Sequence, residues 1–274
     1  MKHDLNKFSF YASLLKYALS HPKVGIQIID TAYQVWSDSK KIVNQSDEIF
    51  SDIGQVLKKM FPNITFSISD VEHDMSSLKN HIENFAKQLE NETFPSRKKP
   101  YPLNYSMDNK SGLLLYLICK ITKPEKVVET GVAYGLSSSY ILQALHENKK
   151  GKLYSIDYSF RPWESKEMIG SLIPANFKDR WELVYGLASD KLHKVLRSLG
   201  SIDIFVHDSM HTYKNMMFEF KISWPFIKKG GYLISDDALG NNAFLTFCSS
   251  LKLKPLLLQQ ENMSKSCSGI LQKI

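Results

Sequence analysis

Three acidic side chains follow two short apolar runs in the second half of the chain. Asp208 comes directly after residues 202–207, and Asp236 and Asp237 come directly after residues 231–235. If the two runs are neighbouring parallel strands, their carboxyl ends lie about 5 Å apart at one edge of a sheet, and the acids converge. Converging carboxylates repel one another unless a cation joins them, and Mg²⁺ prefers such oxygen ligands. We therefore predict a divalent metal site at Asp208, Asp236 and Asp237.

His211 lies three residues beyond Asp208 and is the predicted general base. Its pKa near neutrality suits it to take a proton from a hydroxyl whose own pKa a bound metal would lower. Other interpretations stay open at this stage. His211 is also compatible with a structural hydrogen bond, the pair Asp236-Asp237 with the cap of a turn or helix, and His207 with simple packing on its strand.

A glycine-containing turn lies upstream, in residues 127–138, which read Val-Val-Glu-Thr-Gly-Val-Ala-Tyr-Gly-Leu-Ser-Ser. Glycines allow a tight turn and close approach of a ligand to the backbone, and the following helix start offers amide donors to a carboxylate. An acid at the end of the next strand typically binds ribose hydroxyls in doubly wound sheets. The pattern predicts a nucleoside cofactor site formed by Glu129, Gly131, Ala133, Gly135, Ser137 and Asp157.

Asp190 is a further candidate for the cofactor site, because it begins the helix after the third strand, close to where an adenine ring would lie. A structural interpretation is equally compatible with the sequence, since Ser189 beside it is a residue type that caps helix N-termini.

Alternating strands and helices must position these residues. Strands are predicted at 126–130, 152–157, 181–185, 202–207 and 231–235, and helices at 111–121, 136–147, 164–172, 189–198 and 214–227. This alternation predicts an α/β fold with a mostly parallel sheet covered on both faces. Residues 255–260 and 268–274 are predicted to add an antiparallel pair at the end of the sheet.

The first 105 residues have a helical pattern and are predicted to form an N-terminal cap and linker, separate from a domain over residues 106–274. One helix is expected at 26–42 after a break at His21-Pro22. A second begins at an Asp47 cap and buries Ile49, Ile53, Val56, Leu57 and Met60, and another carries Leu78, Ile82, Phe85 and Leu89 inward. Only residues 64–68 show a strand pattern. This region is expected to build an acceptor pocket or the interface of a homo-oligomer.

Composition limits the classes of partner. The 274 residues include 35 Lys and Arg against 28 Asp and Glu, a formal charge of +7, but no block of five like charges, which disfavours nucleic acid as a partner. Three widely spaced cysteines indicate no disulfide framework. We also find no apolar signal segment, and Leu113–Ile121 is too short to cross a bilayer. The expectation is a cytoplasmic protein that acts on a small molecule.

The motifs resemble those of the class I S-adenosylmethionine (SAM)-dependent methyltransferase superfamily. Residues 129–135, Glu-Thr-Gly-Val-Ala-Tyr-Gly, resemble its first motif, acidic-x-Gly-x-Gly-x-Gly, with Ala133 in place of the middle glycine. Residues 228–237 resemble the later motif around the fifth strand. The resemblance covers about residues 110–274. It is closest to bacterial metal-dependent O-methyltransferases of sugars and antibiotics and to the cephalosporin-hydroxylase-like group. The sugar and antibiotic enzymes commonly carry a second acid, a base candidate in part of that group, where this chain has Met210.

The resemblance implies a Rossmann-like class I methyltransferase sheet with SAM and Mg²⁺ as cofactors. It implies methyl transfer to a hydroxyl of a small glycoside or specialised metabolite, with the metal positioning the acceptor oxygen. The alternatives are a metal-independent N- or O-methyltransferase and a non-catalytic SAM-binding module. An NAD-binding Rossmann domain would normally carry a Gly-x-Gly-x-x-Gly turn, which this chain does not have.

Overall fold

Eight strands form a single sheet in the computed structural model, which describes residues 16–40, 48–64, 71, 75–102, 107–159, 161, 163–261 and 266–274. The strands are β1 (Ile49–Phe50), β2 (Lys126–Thr130), β3 (Lys152–Asp157), β4 (Trp181–Tyr185), β5 (Ile202–His207), β6 (Ile227–Ser235), β7 (Leu256–Gln259) and β8 (Cys267–Gln272). Their order across the sheet is β1-β7-β8-β6-β5-β2-β3-β4.

Helices cover both faces of this sheet. They are α1 (Pro22–Ser39), α2 (Ile53–Met60), α3 (Ser76–Glu90), α4 (Asn109–Thr122), α5 (Leu136–Glu147), α6 (Ala188–Leu199), α7 (Tyr213–Ser223) and α8 (Ala243–Ser250). Short 3₁₀ helices occur at Lys166–Met168, Ala175–Arg180 and Trp224–Phe226, and residues 16–20 are helical as well. No helix among the described residues is both long enough and apolar enough to span a membrane.

The central strands β2 to β6 run parallel, because each is joined to the next by a segment that crosses a face of the sheet. Their side chains are buried on both faces and separate two apolar clusters, one containing Val127 and Ile204 and the other Val128 and Phe205. Strand β8 is antiparallel to both β6 and β7. The predicted α/β fold with an antiparallel pair of strands at the C-terminus is therefore confirmed.

One strand lies where the sequence predicted a helix. Ile49 and Phe50 form β1, which pairs in parallel with Leu257 and Leu258 of β7. The helix begins only at Ile53 and is capped by Asp52, which accepts a hydrogen bond from Gln55 N at 3.0 Å. The predicted cap Asp47 and the strand pattern at 65–68 lie outside the described residues. The placement of Ile49 in a helix is wrong, because a two-residue strand has no periodicity of its own and depends on β7.

The N-terminal helices share a core with the sheet. Val56 and Leu57 of α2 and Leu78 of α3 belong to the same buried cluster as Leu114 and Tyr116 of α4. The apolar cluster therefore continues across the predicted domain boundary near residue 105. That boundary stays a prediction.

The predicted helix at 164–172 is wrong. Its place is taken by the 3₁₀ turn Lys166–Met168 and irregular backbone that follows the glycine turn: Gly170 N donates to Ala133 O and Leu172 N donates to Tyr134 O. Gly170 has φ +71°, and a Cβ there would come 2.3 Å from the Trp181 ring. These tertiary bonds outweigh the local helical pattern. Helix α7 also ends earlier than predicted, at Ser223, and β6 begins earlier, at Ile227.

Candidate active site

A backbone ladder continues past the ends of three adjacent strands, β2, β5 and β6. Gly131 N donates to Ile156 O, Asp208 N donates to Thr130 O, and Asp236 N donates to His207 O, at 2.9–3.0 Å. The first residue beyond each of β2, β5 and β6 is therefore held by a carbonyl of the neighbouring strand. These backbone hydrogen bonds fix the main-chain positions of Asp208 and Asp236 independently of their side chains.

Asp208, His211 and Asp236 meet at this edge of the sheet. One possible ligand atom from each of the three lies within 4.8 Å of the other two. His211 Nε2 is 3.8 Å from Asp208 Oδ1 and 3.9 Å from Asp236 Oδ2. The predicted convergence of Asp208 and Asp236 is observed. Asp237 lies on the other side of the imidazole, with its Oδ2 3.4 Å from His211 Nδ1.

Burial gives these groups unusual proton affinities. It lowers the pKa of His211 to about 4, assisted by the neighbouring His207, so the imidazole is neutral at physiological pH. It raises the pKa of Asp208 well above its usual range, and repulsion from Asp236 adds to this. Burial and the charge of Asp237 raise the pKa of Asp236 to about 7. Asp208 and Asp236 therefore share a proton unless a positively charged group lies beside them.

The donor set fits a divalent cation. His211 Nε2 is buried and has no hydrogen-bond partner among the described residues, which leaves an uncommitted nitrogen facing two carboxylates. Carboxylate oxygens suit Mg²⁺ and Mn²⁺, and an imidazole nitrogen suits Mn²⁺ and Fe²⁺ better than Mg²⁺. The sequence-based assignment made Asp237 the third ligand and His211 the base. The geometry instead includes His211 in the compact set, and both roles stay predictions.

The two acids after β6 differ in their protein contacts. Asp236 Oδ1 accepts a hydrogen bond from Gln260 Nε2 at 2.5 Å. Asp237 has φ +46° and accepts a hydrogen bond from the Ser266 hydroxyl. Both donors belong to the segment around β7 and β8, so the C-terminal pair of strands helps to orient the acids.

A buried carboxylate on α7, which sequence reasoning missed, supports this edge of the sheet. Glu219 is fully buried and binds His207 Nδ1 at 2.7 Å, Thr130 Oγ1 at 2.5 Å and Ser209 Oγ at 2.8 Å. It thereby ties α7 to the ends of β2 and β5. The signal was present in the sequence, since Glu219 lies on the same helix face as the buried Met216, Phe220 and Ser223.

The glycine turn lies directly against the acidic cluster. Gly131 has φ +81° and Gly135 has φ +94°, which are left-handed conformations that favour glycine, and Ala133 also has a positive φ of +48°. A Cβ added at Gly131 would come 2.0 Å from the carbonyl oxygen of Asp208. The turn and the acids can approach this closely only because residue 131 has no side chain.

Glu129 serves as the internal anchor of this turn. Its carboxylate is fully buried and accepts hydrogen bonds from the hydroxyls of Ser137 (2.5 Å), Ser138 (2.6 Å) and Ser155 (2.8 Å). Burial raises the pKa of Glu129 and the three hydroxyls oppose that rise. In this structure Glu129 and Ser137 bind each other, joining β2 to the start of α5. Their predicted contact with a cofactor stays a prediction.

We expect Glu129→Ala to destabilise the fold by about 2–4 kcal/mol, because three buried hydroxyls lose their shared acceptor and a cavity remains. Urea unfolding followed by circular dichroism measures this loss. The matched control is Ser138→Ala, which removes one of the three donors and should cost only about 1 kcal/mol. Equal stability of Glu129→Ala and the native chain would contradict the anchoring role.

Asp157 lies at the end of β3, beside the glycine turn. Its carboxylate accepts hydrogen bonds from Val132 N at 2.8 Å, Ala133 N at 2.9 Å and Tyr158 N at 2.6 Å. A carboxylate offers about four lone-pair sites, so one remains for a ribose hydroxyl. Two residues further on, the buried Ser159 hydroxyl has no hydrogen-bond partner within the described part of the chain. These groups fit the sugar of a nucleoside cofactor.

Asp190 is exposed in the first turn of α6. The N-cap position of that helix is Leu187, so the alternative that Ser189 is the N-cap is wrong; its hydroxyl instead lies 3.4 Å from Asp190 Oδ1. An exposed acid at this helix start remains available to a ligand, and its contact with a cofactor stays a prediction.

A family described as "Methyltransferase domain" matches residues 128–238, from β2 to just beyond β6. No curated protein matches the chain.

Several solved structures share the fold. An O-methyltransferase from Bacillus cereus in complex with S-adenosylhomocysteine (SAH) has a TM-score of 0.54 at 17% identity, over 80% of this chain and 96% of that chain. TomG from Streptomyces achromogenes, an O-methyltransferase involved in tomaymycin synthesis and solved with SAM, has a TM-score of 0.54 at 16% identity, over 71% and 90%. A putative caffeoyl-CoA O-methyltransferase from Staphylococcus aureus has a TM-score of 0.52 at 15% identity, over 75% and 96%.

The sheet order and these comparisons define a protein with the class I SAM-dependent methyltransferase fold. Residues 128–238 match a family of methyltransferase domains, in agreement with the resemblance of the motifs in this part of the chain.

Proposed function

We propose that this protein transfers a methyl group from SAM to a hydroxyl oxygen of a small acceptor, with a divalent cation beside the acceptor oxygen. The observation that carries the proposal is the contact between Gly131 and the Asp208 carbonyl. The glycine turn and the cluster of Asp208, His211 and Asp236 therefore lie at the same edge of the sheet, which supports a common site for SAM and the cation.

The chain's own residues supply what this chemistry requires. SAM provides a methyl group that is already strongly electrophilic, so the protein must align the acceptor oxygen and remove its proton. In the proposed site Asp157 would bind the ribose, and Asp208 and Asp236 would hold the cation, whose charge would lower the pKa of the acceptor hydroxyl. His211, neutral because it is buried, takes the proton at an imidazole nitrogen or completes the ligand set.

The acceptor is proposed to be a glycoside or another specialised metabolite. The role of TomG in tomaymycin synthesis supports this class of acceptor, as does the resemblance of the motifs to those of sugar and antibiotic O-methyltransferases. The N-terminal part of the chain also reaches the site, because Thr212 Oγ1 donates to Gln34 Oε1 at 2.7 Å. We propose that helix α1 lines the acceptor side of the loop 210–213.

The test is formation of SAH from SAM with a panel of hydroxylated acceptors, after exhaustive chelation and after addition of Mg²⁺ or Mn²⁺. We expect turnover to disappear with EDTA and to return with the metal. Turnover that survives chelation would contradict the proposed need for a cation. His211 would then remain as the base of a metal-independent reaction. Tight SAM binding without turnover on any acceptor would instead identify a non-catalytic SAM-binding module.

Matched variants decide which acids bind the cation. We expect Asp236→Asn to weaken Mn²⁺ binding at least about 10-fold, since removal even of groups that only orient the ligands has effects of this size. Asp237→Asn removes the same charge one residue away and should weaken binding less, because Asp237 lies outside the compact set. Equal losses would restore the ligand set predicted from the sequence.

A further inference from the structure

Helix α1 attaches to the protein through its polar face. Thr212 Oγ1 donates to Gln34 Oε1 and Tyr213 N donates to Asp38 Oδ2, both at 2.7 Å. Asp38 is buried by this contact. An amphipathic helix of a soluble protein normally turns its apolar face inward. Helix α1 has the opposite orientation, with its polar face toward the rest of the protein.

The opposite face of α1 is apolar and open to solvent. Ile26 is 67% exposed, Ile29 70%, Tyr33 63% and Trp36 54%. These four residues follow one another at steps of three, four and three, which places them in a single stripe along the helix. Leu19, in the helical residues 16–20, precedes Ile26 by seven positions and is 77% exposed. We call these five residues the heptad face.

The same spacing extends upstream in the sequence. Apolar residues and one proline alternate at steps of three and four through Leu5, Phe8, Ala12, Leu15, Leu19, Pro22, Ile26, Ile29, Tyr33 and Trp36. Residues 5–15 lie outside the described residues, so they enter only as a sequence pattern. A repeat sustained over more than four heptads is typical of helices that pair along a narrow seam.

We propose that the heptad face is the pairing surface of a homodimer, occupied by the heptad face of a second copy of this chain. A two-fold symmetric pair brings the same apolar stripe together from both copies, so the chain provides its own complementary partner. Aromatic residues such as Tyr33 and Trp36 are enriched in the cores of such interfaces.

The charges of α1 favour a protein partner over a membrane surface. Helices that lie on membranes carry many Lys and Arg residues on their polar face. The polar face of α1 instead carries Asp30, Gln34 and Asp38, and the last turn has no basic residue. The C-cap residue Lys40 lies over the Trp36 ring, with its Nζ 3.4 Å from the ring centroid. The polar face is also committed to the loop 210–213 by hydrogen bonds.

The seam that the structure describes is about 27 Å long, for the 18 residues of α1 at 1.5 Å per residue. The apolar repeat continues in the sequence as far as Leu5, and His21, with φ −131° and ψ 73°, interrupts the helix just before α1. Pairing would also brace the loop 210–213, because α1 lies between that loop and the second copy.

The test is the mass of the full-length chain in solution, measured by sedimentation velocity over a range of concentrations. We expect a native dimer of twice 31.4 kDa. Ile29→Glu places two buried acids in the seam of each dimer and should raise the dissociation constant at least about 100-fold, as the loss of central interface contacts does. Because Ile29 is exposed in one copy, the variant should keep the native circular dichroism spectrum.

The matched control is Val35→Glu, which makes the same kind of change on the same helix. Val35 is 54% exposed but lies outside the three-four stripe, so this variant should remain a dimer. A monomeric native chain, or a dimer that Ile29→Glu leaves intact, would overturn the proposal. A native monomer that sediments with phosphatidylserine vesicles would assign the face to a membrane instead. The readout is mass, so the result does not depend on the proposed methyl transfer.

Discussion

Replacing His211 by alanine is expected to lower turnover by about 10²–10⁴-fold, the usual effect of removing a general base. His211 Nε2 faces Asp208 and Asp236 at 3.8 and 3.9 Å and has no other partner within the described residues, so no hydrogen bond of the fold depends on that atom. The variant should therefore fold normally and bind SAM with native affinity. Initial rates of SAH formation, together with calorimetry of SAM binding, measure the two effects separately.

The control for this variant is His193→Ala, which removes an exposed histidine from α6, away from the acidic cluster. It should turn over at the native rate. A Mn²⁺ titration of His211→Ala then distinguishes its two proposed roles. Native Mn²⁺ affinity with lost turnover identifies a base, and lost affinity identifies a ligand. Native turnover of His211→Ala would exclude both roles.

Gly131→Ala is expected to weaken SAM binding and turnover by at least about 100-fold, which corresponds to about 2.7 kcal/mol in binding free energy. Its Cβ would come 2.0 Å from the Asp208 carbonyl oxygen, so the glycine turn and the end of β5 must move apart. Backbone on both sides of the contact leaves no flexible side chain to give way. Calorimetry with SAM and SAH, and rates at saturating SAM, measure the loss.

Gly200→Ala provides the matched control. Gly200 has φ +74°, close to the +81° of Gly131, but a Cβ added there has no atom within 4 Å. Both variants place an alanine at a positive φ, whereas only Gly131→Ala adds the clash. Gly200→Ala should bind SAM with native affinity. If Gly131→Ala does so too, the turn is not the cofactor site.

The sequence predicted the central elements well because they are specified locally. Strands β2, β3, β4 and β5 have the predicted bounds, since each is a short apolar run ended by a polar residue or a turn. The helix prediction for residues 164–172 was wrong for the opposite reason. Its backbone conformation follows from hydrogen bonds to Ala133 and Tyr134, about 40 residues away, which no local pattern contains.

The candidate site was likewise predictable only where a local or general rule applied. The meeting of Asp208 and Asp236 followed from the rule that parallel strands end at one edge of a sheet. The position of Asp237 beside the other nitrogen of His211 did not follow, because it depends on a positive φ and on contact with Ser266. Glu219 was missed because its partners His207 and Thr130 come from two other elements.

Because of the backbone ladder past β2, β5 and β6, the position of a site residue does not depend on which side chain it carries. Carbonyls of neighbouring strands hold residues 208 and 236 through their amide groups, and any residue except proline has such a group. Evolution or protein engineering can therefore exchange a carboxylate for an amide or an imidazole at these positions without moving the main chain. A domain of this design is expected to convert between metal-assisted and metal-free chemistry through single substitutions, while the cofactor turn stays as it is.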